Sequence, residues 1–202
     1  MTASGAADFA VEAGLMARYC DGEAAAFSAL YQRLAPRILA YLVGLLGDRA
    51  AADDVLQLSF LKLHEARGQY VRGANPIPWL YTIAHRTCLD EMRRRKRSRV
   101  KLTVDGDLPP GGGPRAALDG SSEEQAQRRQ EEAMATIPLS VLEQLPENQR
   151  EALILTKLHG HSHAEAAQIS GTTPGAIKLR AHRAYESLRR LLGKPGSAAD
   201  AW

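Results

Sequence analysis

Cysteine is almost missing from this chain of 202 residues, with Cys20 and Cys88 its whole supply. Two thiols cannot build a disulfide framework, and neither sits in a metal-ligand spacing. Reduced, buried thiols are therefore expected, and nothing in the sequence supports a redox pair. Aromatic residues are scarce at 5%, which leaves Leu, Ala, Ile and Val to make any core. Ala and Leu favour helix, whereas the β-branched and aromatic strand formers are few. No run approaches the roughly 20 apolar residues needed to span a bilayer. The N-terminus lacks a basic start followed by an apolar stretch, so neither membrane insertion nor export is expected and the cytoplasm is the expected location. No Ser/His/Asp set, paired carboxylates or Gly-rich phosphate loop can be argued, so an enzyme reading has little to stand on. No cofactor is expected.

What the chain does have is helical periodicity and localised positive charge. The net charge of +3 is modest, yet Arg93 to Lys101 holds seven basic residues and no acidic one. A second basic stripe runs through Lys178, Arg180, Arg183, Arg189 and Arg190. Clustering of this kind is a footprint of nucleic-acid binding, although a solvated helix face produces it too.

Residues 1–14 show no clear pattern and are expected to be flexible; a helical domain is expected over 15–98. Phe27, Leu30, Tyr31 and Leu34 fall at i, i+3, i+4 and i+7, one apolar stripe of a helix. Pro36 is expected to restart the chain in a new helix carrying Ile38, Leu42, Leu45 and Leu46. Gly47 then closes that helix and Asp48 caps the next. In the following segment Val55, Leu56, Leu58, Phe60, Leu61 and Leu63 spread over more than one face. One face serves the domain core; the surplus is covered either by a partner or by neighbouring helices. A loop is expected from about Gly68 to Pro78, after which Leu80, Ile83, Ala84 and Leu89 resume helical spacing and run into the basic tract.

Beyond Ser98 the composition turns to Pro109, Pro110, Gly111, Gly112, Gly113 and Pro114, which reads as a flexible linker over 99–136. The Glu- and Gln-rich stretch from Ser122 to Glu132 belongs to it, because it has almost no apolar face. A second helical domain is expected over 137–193, with Pro146 at a helix start, and a tail over 194–202.

Within that domain Ser162-His163-Ala164-Glu165 has capping-box spacing, so a helix begins there. Gly171 ends it, and Thr173 and Pro174 open another. Two helices joined by a tight Gly turn, with small Ala167 at the close approach and Ile177 as the plug, make a helix-turn-helix. Inward positions Ile177, Ala181, Ala184 and Leu188 leave Lys178, Arg180, His182 and Arg183 facing outward. An ordinary helical hairpin with a solvated basic face is the competing reading. His159, His161 and His163 could in principle bind zinc, but their spacing straddles a loop and a helix start and no Cys or carboxylate completes a set; no metal site is expected.

Three motifs in order resemble the extracytoplasmic-function sigma factors, the small two-domain bacterial sigma factors, over most of Gly22 to Leu192 outside the linker. Ala52-Asp53-Asp54-Val55-Leu56-Gln57-Leu58-Ser59-Phe60-Leu61 is similar to the family's core-polymerase-binding helix. Trp79-Leu80-Tyr81-Thr82-Ile83-Ala84-His85-Arg86, followed by Asp90 and Arg93-Arg94, is similar to its promoter-melting and -10-reading helix. Leu145 to Glu151 and Gly175 to Ala184 are similar to its -35-reading domain.

The resemblance implies an all-α fold of two small helical domains joined by a flexible linker, the C-terminal one a helix-turn-helix. It implies core RNA polymerase binding through Asp53, Asp54, Gln57, Leu58 and Leu61, with Val55 and Phe60 in the core. It implies -10 contacts from Asn75, Trp79, Thr82, His85, Arg86, Arg93 and Arg94, the loop around Asn75 forming part of a pocket for a flipped base. Trp79 is either a stacking platform there or an anchor between helices. Contacts to -35 DNA are implied for Thr173, Lys178, Arg180, His182 and Arg183, and an anti-sigma factor is implied as a further partner. Departures from the family pattern are His64 where Trp is common, His85 where Arg is usual, Arg86 where Asn is usual, and Ala181 in place of a larger apolar residue. A stand-alone helix-turn-helix regulator is the alternative function.

Overall fold

The computed structural model describes residues 3–102 and 138–192, which are helical with no strand among them. The linker expected over 99–136, the Glu- and Gln-rich stretch and the tail over 194–202 lie outside the described residues, except that the basic helix continues to Leu102. The first half contains α1 (Ala3–Cys20), α2 (Ala24–Leu46), α3 (Arg49–Ala66), a single 3-10 turn (Arg67–Gln69) and α4 (Pro76–Leu102). The second half contains a short α5 (Leu139–Leu142), α6 (Glu147–Leu153) running into a π-helical turn (Ile154–Leu158), α7 (His163–Ser170) and α8 (Pro174–Leu192).

The helix ends follow local chemistry. Gly47 takes up φ +66°, and its N–H donates to the Val43 carbonyl, which closes α2. Its neighbour Asp48 is extended and accepts from the Ala51 amide at 3.2 Å, opening α3. Asn75 starts α4 in the same manner, its Oδ1 accepting from the Ile77 amide at 3.0 Å. The loop expected to reach Pro78 therefore ends at Asn75. Pro76 and Pro78 both fall in the first turn of α4, where no intrahelical N–H is needed. In the second half Ser162 and Glu165 form the reciprocal capping box, Gly171 closes α7 at φ +64°, and the Thr173 hydroxyl accepts from the Ala176 amide at the head of α8.

Two expectations are corrected. Pro36 does not restart the chain; it sits inside a continuous 23-residue α2. Its ring is exposed, and Leu30, Leu34, Ile38 and Leu42 on either side of it are all buried on one face. Tertiary burial on both sides of the proline outweighs the lost hydrogen bond and the clash with the preceding turn. The N-terminus expected to be flexible over 1–14 is instead helical from Ala3. Glu12 is buried and meets Arg33 Nε of α2 at 3.1 Å, while Met16 and Tyr19 on the following turns enter the core. A charged anchor in a run rich in Ala and Gly carries too little apolar signal to be read as core-facing.

Helices α1 to α4 pack on one another as a bundle, with α2 touching the other three. The second half packs α6 and α7 against α8, and a small cluster of Leu142, Leu145, Leu153, Ala184 and Leu188 lies within it. The halves are in contact: α7 packs on α4, and α6 with its π-helical turn reaches α2. The larger buried cluster is continuous across this contact, joining Tyr41, Leu80, Tyr81 and Ala84 to Ile154, Leu155, Ala166, Ile169 and Ile177.

Candidate nucleic-acid and partner interfaces

The outer face of α3 is part acidic and part apolar. Val55, Leu56, Ser59, Phe60 and Leu63 point into the bundle. Asp54, Gln57, Leu58 and Leu61 are exposed, Leu58 by 43% and Leu61 by 53%, and Asp53 is half-buried beside Arg49 at 3.1 Å. Helix periodicity thus separates a core face from an apolar strip that no described neighbour covers. Tyr31 of α2, expected within an inward stripe, is exposed, with its ring 4.6 Å from Phe60 of α3. An i+4 position lies on the rim as readily as at the centre of a stripe, so spacing alone did not place it.

The loop before α4 and the first turns of that helix enclose a cleft of about 450 Å³. Asn75, Tyr70, Val71, Pro78 and Trp79 line it from the first half, and Glu165 and Gln168 of α7 line it from the second. Trp79 is half-buried and lies beside Tyr70, ring centroids 5.9 Å apart at 31°. Its indole is thus both packed and a wall of the cleft. Tyr70, Glu165 and Gln168 were not foreseen; Tyr70 carried the visible signal of an aromatic in a Gly-rich loop. Thr82 is half-buried and its hydroxyl donates back to the Pro78 carbonyl of its own helix at 2.8 Å.

Further along α4, Arg86 is exposed but His85 is not, at 4%. Its Nδ1 accepts from the Tyr41 hydroxyl at 2.9 Å, and its Nε2 lies 3.4 Å from Glu151 of α6. Burial lowers its pKa against the opposing pull of Glu151, which favours the neutral ring. Contrary to expectation, then, His85 offers nothing to a DNA strand in this arrangement. Arg93 and Arg94 are exposed and paired locally, with Asp90 at 3.4 Å and Glu91 at 2.7 Å. Arg95 instead turns back to Glu91 at 2.8 Å and Asp48 at 3.0 Å, tying α4 to the start of α3.

On α8, Ile177, Ala181, Ala184 and Leu188 are buried as the spacing predicts. Thr173, Lys178 and His182 are exposed, and Arg180 and Arg183 are half-buried. Arg180 lines a cleft of about 380 Å³ between the halves, with His85, Glu147, Asn148, Arg150, Glu151 and Ser170. Of the three histidines considered for metal, His159 accepts from the Tyr81 hydroxyl, His161 is buried against the same ring, and His163 is exposed at the start of α7. No group of His, Cys, Asp or Glu suited to a metal occurs among the described residues, and none of their helices is long and apolar enough to cross a membrane.

This combination of an acidic and apolar strip, an aromatic cleft leading into a basic helix, and a helix-turn-helix has close parallels. Residues 30–98 match the Sigma-70 region 2 model, and residues 139–188 match the Sigma-70, region 4 model. RNA polymerase sigma factor CarQ of Myxococcus xanthus is 37% identical over 89% of this chain and 96% of its own length. The ECF RNA polymerase sigma factor EcfG of Rhodopseudomonas palustris is 32% identical over 80% of this chain and 82% of its own. The chain belongs to the ECF sigma factors.

Among solved structures, the sigma factor RpoE of Bartonella quintana, in complex with the anti-sigma factor NepR, is 28% identical with a TM-score of 0.62, over 84% of this chain and 98% of that one. CnrH, solved with the cytosolic domain of CnrY, shares the fold at 24% identity and a TM-score of 0.63, over 92% of this chain and 99% of that one. The all-α, two-domain architecture of this sigma factor is thus that of its family, and the protein is a transcription initiation factor of the ECF type.

Proposed function

We propose that this sigma factor divides promoter recognition among three surfaces. The strip of Asp53, Asp54, Gln57, Leu58 and Leu61 on α3 docks on core RNA polymerase. The cleft of Asn75 and Trp79 receives a base extruded from the -10 element, and Arg86, Arg93 and Arg94 of α4 follow the strand's phosphates. Flipping a base costs roughly a few kcal/mol of stacking, which the Tyr70 and Trp79 rings and the cations on α4 offset. The N-terminal half of α8 enters the -35 major groove with Thr173, Lys178, Arg180, His182 and Arg183. The half-buried Thr82 and the buried His85 act by holding α4 in shape.

The observation that carries this reading is the separation of three chemically distinct surfaces onto α3, α4 and α8, each exposed on an otherwise packed helix. The protein acts as a binding factor without catalysis, in the cytoplasm where polymerase and chromosome meet. An anti-sigma factor is a further partner, by analogy with RpoE bound to NepR. Run-off transcription with purified core enzyme on host genomic fragments tests the proposal. Promoter-dependent transcripts are expected. Tight duplex binding by the isolated chain, with no affinity for core enzyme and no transcript, would establish a stand-alone regulator instead.

A further inference from the structure

Where the two halves meet, imidazoles are packed among aromatic rings. His159 and His161 occupy the turn between the π-helical segment and α7. Tyr81 of α4 donates its hydroxyl to His159 Nδ1 at 2.9 Å, and its ring takes His161 edge-on with centroids 4.4 Å apart. Tyr41 of α2 meets His159 edge-on at 5.8 Å. The third histidine, His85, stands between Tyr41 and Glu151 of α6.

These contacts also cover functional surface. With the halves together, Glu165 and Gln168 of α7 wall the cleft of Asn75 and Trp79, Glu151 faces His85, and Arg180 is drawn into the cleft between the halves. A carboxylate in the cleft repels a nucleic-acid backbone. The contact is imperfectly satisfied as well: Arg150 Nε, His161 Nε2 and Ser170 Oγ are buried without a hydrogen-bond partner among the protein's own atoms. An interface that leaves such atoms orphaned is suited to opening, because water satisfies them once the halves part.

We propose that this arrangement is a self-closed form of the sigma factor, in which α7 caps the cleft of Asn75 and Trp79, and that protonation of His159 and His161 releases it. The consequence for DNA rests on reading that cleft as the -10 base pocket; the closure does not.

The electrostatics agree with the geometry. Burial pushes His159 and His161 down to about 4, with Arg37 of α2 lowering both and His161 adding to the effect on His159. Glu165 of α7 pulls His161 the other way without reversing it. At His85 burial likewise prevails, helped by Arg86 and opposed by Glu151. The groups that face the cluster are therefore Arg37 and Tyr41 on α2, Tyr81, His85 and Arg86 on α4, Glu151 on α6 and Glu165 on α7. A histidine that is neutral when closed and ordinary when open favours the closed form fully above its open-state value of about 6.5. That contribution is lost as pH falls through the interval toward 4, and near pH 5 His159 and His161 each shift the closed-to-open ratio roughly thirtyfold.

The test uses the full chain at pH 7.5 and pH 5, with small-angle X-ray scattering for dimensions and far-UV circular dichroism for helix. Anisotropy of a labelled random-sequence single strand of about 12 nucleotides reports access to the cleft. Acidification is expected to expand the molecule with helix retained and to strengthen strand binding at least tenfold. A double variant, His159→Gln with His161→Phe, keeps an acceptor for Tyr81 and an aromatic edge but cannot titrate, and it is expected to stay compact at pH 5. Gly44→Leu is expected to open the chain at pH 7.5 without acid, since a Cβ at Gly44 already displaces the tip of Ile154, whose Cδ1 would lie 2.9 Å away across the interface, and the three further carbons of Leu crowd the same contact. An already extended wild type at pH 7.5, equal dimensions at both pH values, loss of helix at pH 5, or a double variant that expands like wild type would each overturn the proposal. Expansion of Gly44→Leu without a gain in strand binding would leave the latch standing and remove the base-pocket reading.

Discussion

Lys178 and Arg183 sit one and a half turns apart on α8 in different surroundings, the lysine exposed and the arginine half-buried. If either reads a base edge, its replacement by Ala lowers -35-dependent transcription by about 1 to 3 kcal/mol, and the loss depends on the -35 sequence. A phosphate contact gives a sequence-independent loss and a shallower salt dependence of promoter binding. Filter binding of holoenzyme over a salt series, on matched and altered -35 elements, separates the two; unchanged binding in both variants would remove them from the interface. Cys88 allows a second prediction at this scale. It is fully buried, and burial together with Glu147 and Glu151 pushes its thiol up to about 12. Since the thiolate is the reactive species, Cys88 is expected to ignore a thiol reagent at pH 8 until the chain is unfolded, as thiol titration with and without denaturant will show. Prompt labelling in the native state would mean that α4 is accessible at this turn.

Among the helices, the ends were legible in the sequence and the interiors were less so. Asp48, Ser162 with Glu165, Gly171 and Thr173 act through hydrogen bonds to residues three or four positions away, so their spacing contains the whole interaction. Pro36 is different: what keeps α2 continuous through it is burial against helices remote in sequence. The same holds for the candidate sites. Exposure of Leu58 and Leu61 follows from α3's own periodicity, whereas the closure of the Trp79 cleft by Glu165 and Gln168 depends on side chains more than eighty positions away. Two predictions separate these kinds of cause. Ser162→Ala removes a reciprocal cap and is expected to destabilise the second half by about 1 kcal/mol. Pro36→Ala restores an intrahelical N–H at an exposed position and is expected to stabilise the chain by about 1 kcal/mol or more. Urea unfolding followed by circular dichroism measures both; a destabilised Pro36→Ala would show that the proline's own packing outweighs the recovered hydrogen bond.

At the scale of the whole molecule the question is how firmly the halves hold each other once the covalent tether is cut. The contact is apolar at its centre, where Ile154 nests against Gly44 and Ala166, Ala167 and Ile177 continue the core begun by Leu80 and Ala84. Against that burial stand Arg150 Nε, His161 Nε2 and Ser170 Oγ, which find no partner among the protein's own atoms and cost about 1 to 3 kcal/mol each where no water reaches them. The balance points to an interface that is weak between separate molecules. The covalent link through residues 103–137 changes this by making the encounter intramolecular, so that each half meets the other without the cost of bringing two molecules together. A protease site placed within 103–137 therefore leads to a definite expectation. After cleavage at neutral pH, the halves should co-elute from a size-exclusion column at high micromolar loading and separate on dilution below about 1 μM, each still helical. Separation on dilution means that the tether sustains the closed form, and that a partner such as core enzyme can open it by competing for surfaces on α3, α4 and α8. Co-elution persisting at nanomolar concentration would make the interface an obligate one, and promoter recognition would then have to proceed with the halves together.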